Sequence, residues 1–185
     1  ETGSLRGVRW FLLNKDRGGR IAAEKMRECG CRKVLQLSDL SAKKISSARS
    51  GVVFTRLMQE YGIDVVTEKI VWDEVIHYEK AMKRAKDILV SYPELDGIMA
   101  NDLCAAAFLK TAYEMGRQVP EDLKILSYDG TFVTDFNFCT MSAIVQDVEK
   151  IAVDAVEVLL KLINHQPLVK KEIYIPVYFK KGDTL

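Results

Sequence analysis

The chain is short of the residues that carry most metal and nucleophile chemistry. Its 185 residues include two histidines, His77 and His165, and four cysteines, Cys29, Cys31, Cys104 and Cys139. Cys29 and Cys31 stand two apart with one glycine between, and the other two fall in unrelated segments. No repeated Cys-x-x-Cys and no nearby histidine completes a zinc set, so no metal is implied and the cysteines read as free thiols of a reducing compartment. His77 falls inside an expected helix and His165 in the loop after one, neither with a nucleophile at hand. The motifs Gly-x-x-x-x-Gly-Lys-Ser/Thr, Gly-x-Gly-x-x-Gly and Gly-x-Ser-x-Gly are all absent. Gly18-Gly19 alone reads as a turn before a helix rather than as a phosphate loop. No apolar run approaches the ~20 residues of a membrane span. No basic stretch followed by an apolar run and a small-residue cleavage site is visible, so no secretory leader is read. Charge of one sign is also missing: 27 basic residues face 26 acidic ones, a net +1. That balance offers no overall basic footprint to nucleic acid or to an anionic membrane. These absences point to a cytoplasmic soluble protein with no membrane partner and no cofactor.

Enough apolar residue is present for a core. Hydrophobic residues make up 48% and charged ones 29% of the chain, which excludes disorder, collagen and coiled coil. The length suits one domain, or one and a fraction. Apolar strand-like runs alternate with amphipathic helical stretches throughout. Strands are expected at residues 8–13, 34–37, 64–72, 97–100, 123–128, 141–145 and 173–179, the last demoted to an edge by Pro176. Helices are expected at 19–28, capped by Asp16 and stopped by Gly30, and at 49–61, 75–91, 103–115 and 147–163. The first of these turns Ile21, Ala22 and Met26 inward, the second Val52, Val53, Phe54, Leu57 and Met58. Residues 38–47 and 129–139 read as loops. Such alternation argues an α/β fold, a doubly wound parallel sheet.

Ligands in such sheets bind beyond the C-terminal ends of the strands. That rule selects residues 39–47, 72–74, 101–102 and 129–131. Asn101, Asp102 and Asp129 offer an amide and two carboxylates, groups that chelate vicinal hydroxyls. Trp72 supplies a ring for the apolar face of a sugar, and Arg49 a fork of donors. Each has a plainer reading as well: a strand-end Asp caps the next helix, and a Trp fills a core. Asp102 with Asp129 also passes for a general acid and base, as in an unrecognised doubly wound enzyme, although no metal or nucleophile accompanies them.

Several short motifs then occur in one order: Lys15-Asp16-Arg17-Gly18-Gly19 before a helix, Arg49-Ser50-Gly51-Val52-Val53-Phe54, Asn101-Asp102 opening a helix, Gly116-Arg117-Gln118-Val119-Pro120-Glu121-Asp122, Ser127-Tyr128-Asp129-Gly130-Thr131, Gln146 before the last long helix, and Lys181-Gly182-Asp183-Thr184. Jointly they resemble the effector-binding domain of the lactose-repressor (LacI/GalR) family of bacterial transcription regulators, from about Val8 to the C-terminus. The tail departs from the family's Arg-x-x-Thr. The resemblance implies a periplasmic-binding-protein-like fold of type I, with the second subdomain complete and the first partial. Residues 1–13 would be a remnant of the first subdomain, 14–144 the second, 145–165 a helix returning to the first, and 166–185 the C-terminal strand and tail. The stripe Val148, Ile151, Ala155, Val158, Leu159 and Leu162 would then be exposed.

By the same resemblance Arg49, Trp72, Asn101 and Asp129 hold a small effector, with Lys43, Asp102 and Gln146 as further contacts. The Tyr-Asp-Gly-Thr variant is similar to ribose and sucrose regulators, which favours a sugar, while Lys43 and Lys44 suit a phosphorylated ligand. The family dimerises side by side, which places Cys104 and Phe108, together with Phe132, Phe136 and Phe138, at an interface. On the residues alone, those three phenylalanines are either exposed to a partner or buried under their loop. DNA would be bound by an N-terminal helix-turn-helix that this chain does not contain. The effector would change the angle between subdomains and so operator affinity. A periplasmic sugar-binding protein of the same fold is the other reading, against which the cysteines and the missing leader count.

Overall fold

The central strands are apolar on both faces, and helices cover both. The computed structural model describes residues 10–13, 15–39, 45–71, 77–136, 138–167 and 172–185, with the backbone alone at 10–13, 15, 38–39, 45–49 and 172–174. In chain order the elements are β1 (Trp10–Leu13), α1 (Lys15–Glu28), β2 (Lys33–Asp39), α2 (Ile45–Glu60), β3 (Asp64–Ile70), α3 (Tyr78–Ser91), β4 (Gly97–Asn101), α4 (Asp102–Glu114), β5 (Lys124–Asp129), a 3-10 turn (Phe132–Thr134), β6 (Ser142–Gln146), α5 (Val148–Ile163), β7 (Glu172–Ile175) and β8 (Val177–Lys180). Six strands form the main sheet in the order β3-β2-β4-β5-β6-β8, and β1 pairs separately with β7. All main-sheet pairs are parallel except β8, which runs antiparallel to β6 along the edge.

Consecutive strand residues belong to opposite cores, as the period of two requires. Leu35, Ile98, Ala100 and Ile125 pack with Ala81, Ala85, Ile88 and Leu89 of α3 and with α4. Their neighbours Val34, Met99 and Leu126 pack on the other face with Ala22, Ala23 and Met26 of α1 and with Phe54, Leu57 and Met58 of α2. Ile21 and Val53 lie partly buried beside them, whereas Val52 is exposed, contrary to the inward expectation. At ~25 cal/mol per Å² of apolar surface buried, two-sided coverage of this kind is the main favourable term in folding.

The observed bounds move some expected features. α1 begins at Lys15, so Asp16 sits inside its first turn, where a carboxylate complements the helix dipole, rather than in front of it. β2 runs on to Asp39 and α2 starts at Ile45, which shortens the expected loop. Lys43, Lys44 and Trp72 lie outside the described residues. His77 is the exposed residue capping α3 and not part of it. The single strand expected at 173–179 is two strands in two sheets, β7 and β8, with Pro176 at the crossing, where its missing N–H breaks no ladder.

Two interface expectations are overturned. Cys104 is 2% and Phe108 1% exposed, so both belong to the core and not to a surface between copies. The reason lies in α4, whose Ala-rich sequence lets it be enclosed by the sheet, α3 and the 3-10 turn, so that most of its residues are buried. α5 is the opposite case. None of its residues is buried; Val148 and Leu159 are exposed and Ile151, Ala155, Val158 and Leu162 half-buried. Among the described residues no helix is long and apolar enough to cross a membrane.

Candidate functional site

Three adjacent parallel strands end on three of the expected residues. Asn101 closes β4, Asp129 closes β5 and Gln146 closes β6. The registers Asn101↔Tyr128 and Asp129↔Val145 set these ends side by side at one edge of the sheet. Asn101 does two jobs there. Its Oδ1 accepts from the Cys104 N–H at 3.0 Å, capping α4, and its amide nitrogen remains a donor at the strand end. Gln146 Nε2 donates to Asp129 Oδ1, so two expected contacts already meet.

The backbone at Asp129 is unusual. Its φ is 139° and that of Gly130 is 71°, two positive values in a row. A non-glycine residue held there stores strain of order 1–3 kcal/mol, which the surroundings must offset. Gly130 is obligatory for a second reason: a Cβ there would lie 2.6 Å from Val145 Cγ2 and 2.8 Å from Val145 Cα.

Asp102 is spent differently from the expectation. It is 4% exposed. Its Oδ1 accepts from Ser127 Oγ and from the Gly130 N–H at 3.1 Å, and its Oδ2 accepts from the Thr131 N–H and Oγ, each at 2.6 Å. Four donors occupy the carboxylate, so it is neither an effector contact nor half of an acid–base pair with Asp129. Ser127 and Thr131, to which the sequence reading gave no individual role, are the side chains that complete this arrangement. The two hydroxyls flanking Tyr128-Asp129-Gly130 were the signal available.

Arg49 lies in α2 near its N-terminal end, which follows the C-terminal end of β2. The glycines around it serve close packing. A Cβ on Gly19 would lie 3.0 Å from the Ser50 carbonyl carbon and nearer still to its oxygen, and one on Gly51 would lie 2.5 Å from Gln36 Nε2. Gly18 faces the Tyr128 hydroxyl in the same way. Burial pushes the Tyr128 phenol up, with Ser50 pulling against it.

The tail is also built in. Thr184 is buried; its Oγ1 donates to the Ile125 carbonyl at 2.6 Å and accepts from the Ser142 N–H at 2.9 Å, stitching β5 to β6. Asp183 accepts from the Thr140 N–H at 2.9 Å. The open alternative for the 129–139 loop resolves to exposure: Phe132, Phe136 and Phe138 are 72%, 82% and 65% accessible. Phe132 and Phe136 meet edge to face at 5.7 Å, and Phe138 packs on Tyr113 at 5.4 Å. A hollow of about 380 Å³ lined by Leu109, Tyr113, Val119 and Phe138 lies at the far end of α4, away from Asn101. Among the described residues no group of three or more His, Cys, Asp or Glu could hold a metal.

The sequence profile of the periplasmic binding protein-like domain matches residues 23–185. The chain belongs to that family, in the form that LacI/GalR regulators carry. The Lactococcus lactis ribose operon repressor is 25% identical to this periplasmic binding protein-like domain over 175 residues, covering 93% of the chain and 52% of the repressor. The Bacillus subtilis ribose operon repressor is 38% identical over 100 residues, covering 54% of the chain and 31% of the repressor. The chain thus spans about half the length, or less, of these relatives. A LacI family transcriptional regulator from Arthrobacter sp. FB24, also solved in complex with lactose, superposes with a TM-score of 0.82 at 23% identity, over 100% of the chain and 67% of that structure. At that identity the likeness concerns the fold. Neither the repressors nor this regulator is named as an enzyme.

Proposed function

We propose that this domain binds a small sugar of ribose or sucrose type at the ends of β4, β5 and β6, and that occupancy controls the operator affinity of a cytoplasmic repressor. The observation that carries the reading is the juxtaposition of Asn101, Asp129 and Gln146 on three neighbouring strand ends, with Gln146 already holding one oxygen of Asp129. Amide donors and a carboxylate in one place suit the vicinal hydroxyls of a sugar ring. Arg49 adds a fork of donors, Trp72 a stacking ring, and Lys43 a charge for a phosphorylated ligand. The names of the two ribose operon repressors and the lactose complex of the Arthrobacter regulator support a sugar.

Operator binding would rest on a helix-turn-helix outside these residues, paired through a homodimer. The exposed Phe132, Phe136 and Phe138 supply the dimer face in this reading, in place of the buried Cys104 and Phe108. The sugar changes the angle between subdomains, and the dimer passes that change to the DNA-binding heads.

The test is a thermal-shift screen of the full-length protein against ribose, sucrose, other common sugars and their phosphates. A true ligand at ~100 times its Kd adds ~2.7 kcal/mol of stability. Asp129→Ala should weaken binding of that ligand by ~2 kcal/mol, about 30-fold, because buried polar groups lose their partner. Wild-type affinity in this variant would remove Asp129 from the site, and silence across the whole panel would remove sugars as the class.

A further inference from the structure

We infer that Asp102 is the positioning residue of the proposed sugar site, whose buried carboxylate fixes both Asp129 and the start of the exposed aromatic segment. The inference rests on the proposed site and extends it to a residue that touches no ligand. Asp102 follows Asn101 directly, so the peptide that ends β4 and caps α4 also anchors the clamp. The four donors it holds come from Ser127, Gly130 and Thr131, which bracket Asp129 on both sides. Asp129 thus lies inside the turn that these bonds fix, with its own carboxylate on Gln146. Its φ of 139° is costly for an L-residue, and the bonds from Gly130 and Thr131 to Asp102 hold the turn in which it occurs.

The same bonds set what comes next in the chain. The Thr131 carbonyl accepts from the Thr134 N–H at 3.0 Å and from its Oγ1 at 2.9 Å, and the Phe132 carbonyl accepts from the Asp135 N–H at 3.0 Å. Lys180 of β8 closes the far side on the Asp135 carboxylate at 2.5 Å. Phe132 and Phe136, the most exposed rings of the segment, thus leave the sheet from a turn whose first residue is held by Asp102. One carboxylate ties the strand-end site to the aromatic face through hydrogen bonds only.

The geometry requires a carboxylate and not merely a polar side chain. Donors approach both oxygens, so an amide of the same shape would turn its NH₂ toward one pair of them. Asp102→Asn therefore keeps the volume and breaks half the clamp. Thr131→Val removes one hydroxyl donor from Oδ2, and Thr131→Ser restores it.

The experiment uses the full-length protein, with D-ribose as the probe. Affinity is measured by calorimetry well below each variant's melting temperature, and amide exchange is followed at Gly130 and Thr131. Asp102→Asn should raise the ribose Kd at least 10-fold and quicken exchange at both amides by a similar factor. Thr131→Val should raise Kd about 3-fold or more and Thr131→Ser should return it to within 2-fold of wild type, a pattern that survives if Asp102→Asn does not fold. Ribose binding lost in Asp129→Ala but retained within 2-fold in both Asp102→Asn and Thr131→Val would overturn the positioning role and leave the site standing. Binding that survives Asp129→Ala would overturn the site as read, and no ribose binding by the wild type would remove ribose as its ligand. The clamp is then judged by exchange alone, and unchanged exchange in Asp102→Asn overturns it.

Discussion

Replacing Gly19 by alanine sets two measurable effects against each other. Helix propensity favours alanine over glycine by ~1 kcal/mol at an interior position. The structure opposes it. A Cβ at Gly19 would stand 3.0 Å from the Ser50 carbonyl carbon and 3.1 Å from its Cα, where ordinary contact begins at 3.4 Å. The obstacle is backbone, so no side-chain rotation relieves it. Helix α1 must lift from α2 by about half an ångström or more, loosening Ala22, Ala23 and Met26 against Phe54 and Met58. Overpacking of this kind costs ~1–3 kcal/mol, and the strain extends to the loosened neighbours. With backbone as the obstacle the cost falls in the upper part of that range, ~2–3 kcal/mol, which less ~1 kcal/mol of propensity leaves a net loss of about 1–2 kcal/mol, a melting temperature ~2–8 °C lower for a chain of this size. Calorimetric or circular-dichroism melts read it directly. Gly30→Asn is the control. Gly30 has a φ of 74° with nothing within 4 Å of a Cβ, and asparagine tolerates that backbone, so its melt should stay near wild type. Gly18→Ala adds a second arm, since its obstacle is the end of the Tyr128 side chain, and a Tyr128→Phe background should recover part of the loss. A Gly19→Ala protein that melts at or above wild type would refute the close-packing argument and leave propensity as the whole story.

Other outcomes follow from single contacts. Thr184→Val should destabilise the fold by ~1–3 kcal/mol in denaturant melts, because the Ile125 carbonyl and the Ser142 N–H both lose their hydroxyl partner in a buried place; a variant within 0.5 kcal/mol of wild type, the range of an ordinary surface substitution, would deny the tail its stitching role. Burial pushes the Cys31 thiol up to about 12 from an ordinary 9.0, so between those values the folded chain keeps a proton the unfolded chain gives up. Stability should therefore fall as pH rises through that window, and Cys31→Ala should flatten the fall. Phe136→Asp should shift the full-length protein toward monomer in sedimentation, with its melting temperature at high dilution unchanged; a dimer of wild-type strength would place the interface elsewhere.

The order of elements was legible in the sequence because two-sided apolar strands and amphipathic helices leave a periodic trace. The parallel arrangement followed from that alternation, and the strand-end rule drew attention to Asn101 and Asp129 before any contact was known. Asp102 shows where such reading stops. Beside Asn101 and near Asp129 in the fold, it has the same chemistry as an effector contact, and only the direction of its side chain separates the roles. Cys104 and Phe108 failed for a related reason. A helix as rich in alanine as α4 gives no strong polar face to mark its solvent side, so the residues of its enclosed face look no different from those of an interface.

Composition and spacing by themselves determined the class of fold, the absence of familiar nucleophile and phosphate motifs, and the edge of the sheet at which to look. These depend on local periodicity and on short motifs, which a linear chain carries in full. Tertiary structure decided which carboxylate is saturated and which is paired with Gln146, that Gly18 and Gly19 serve packing against Tyr128 and Ser50, that Pro176 marks a crossing between two sheets, and that the three phenylalanines face outward. Each of those turns on which distant groups approach within hydrogen-bonding or van der Waals distance, and that is fixed only when the sheet brings them together.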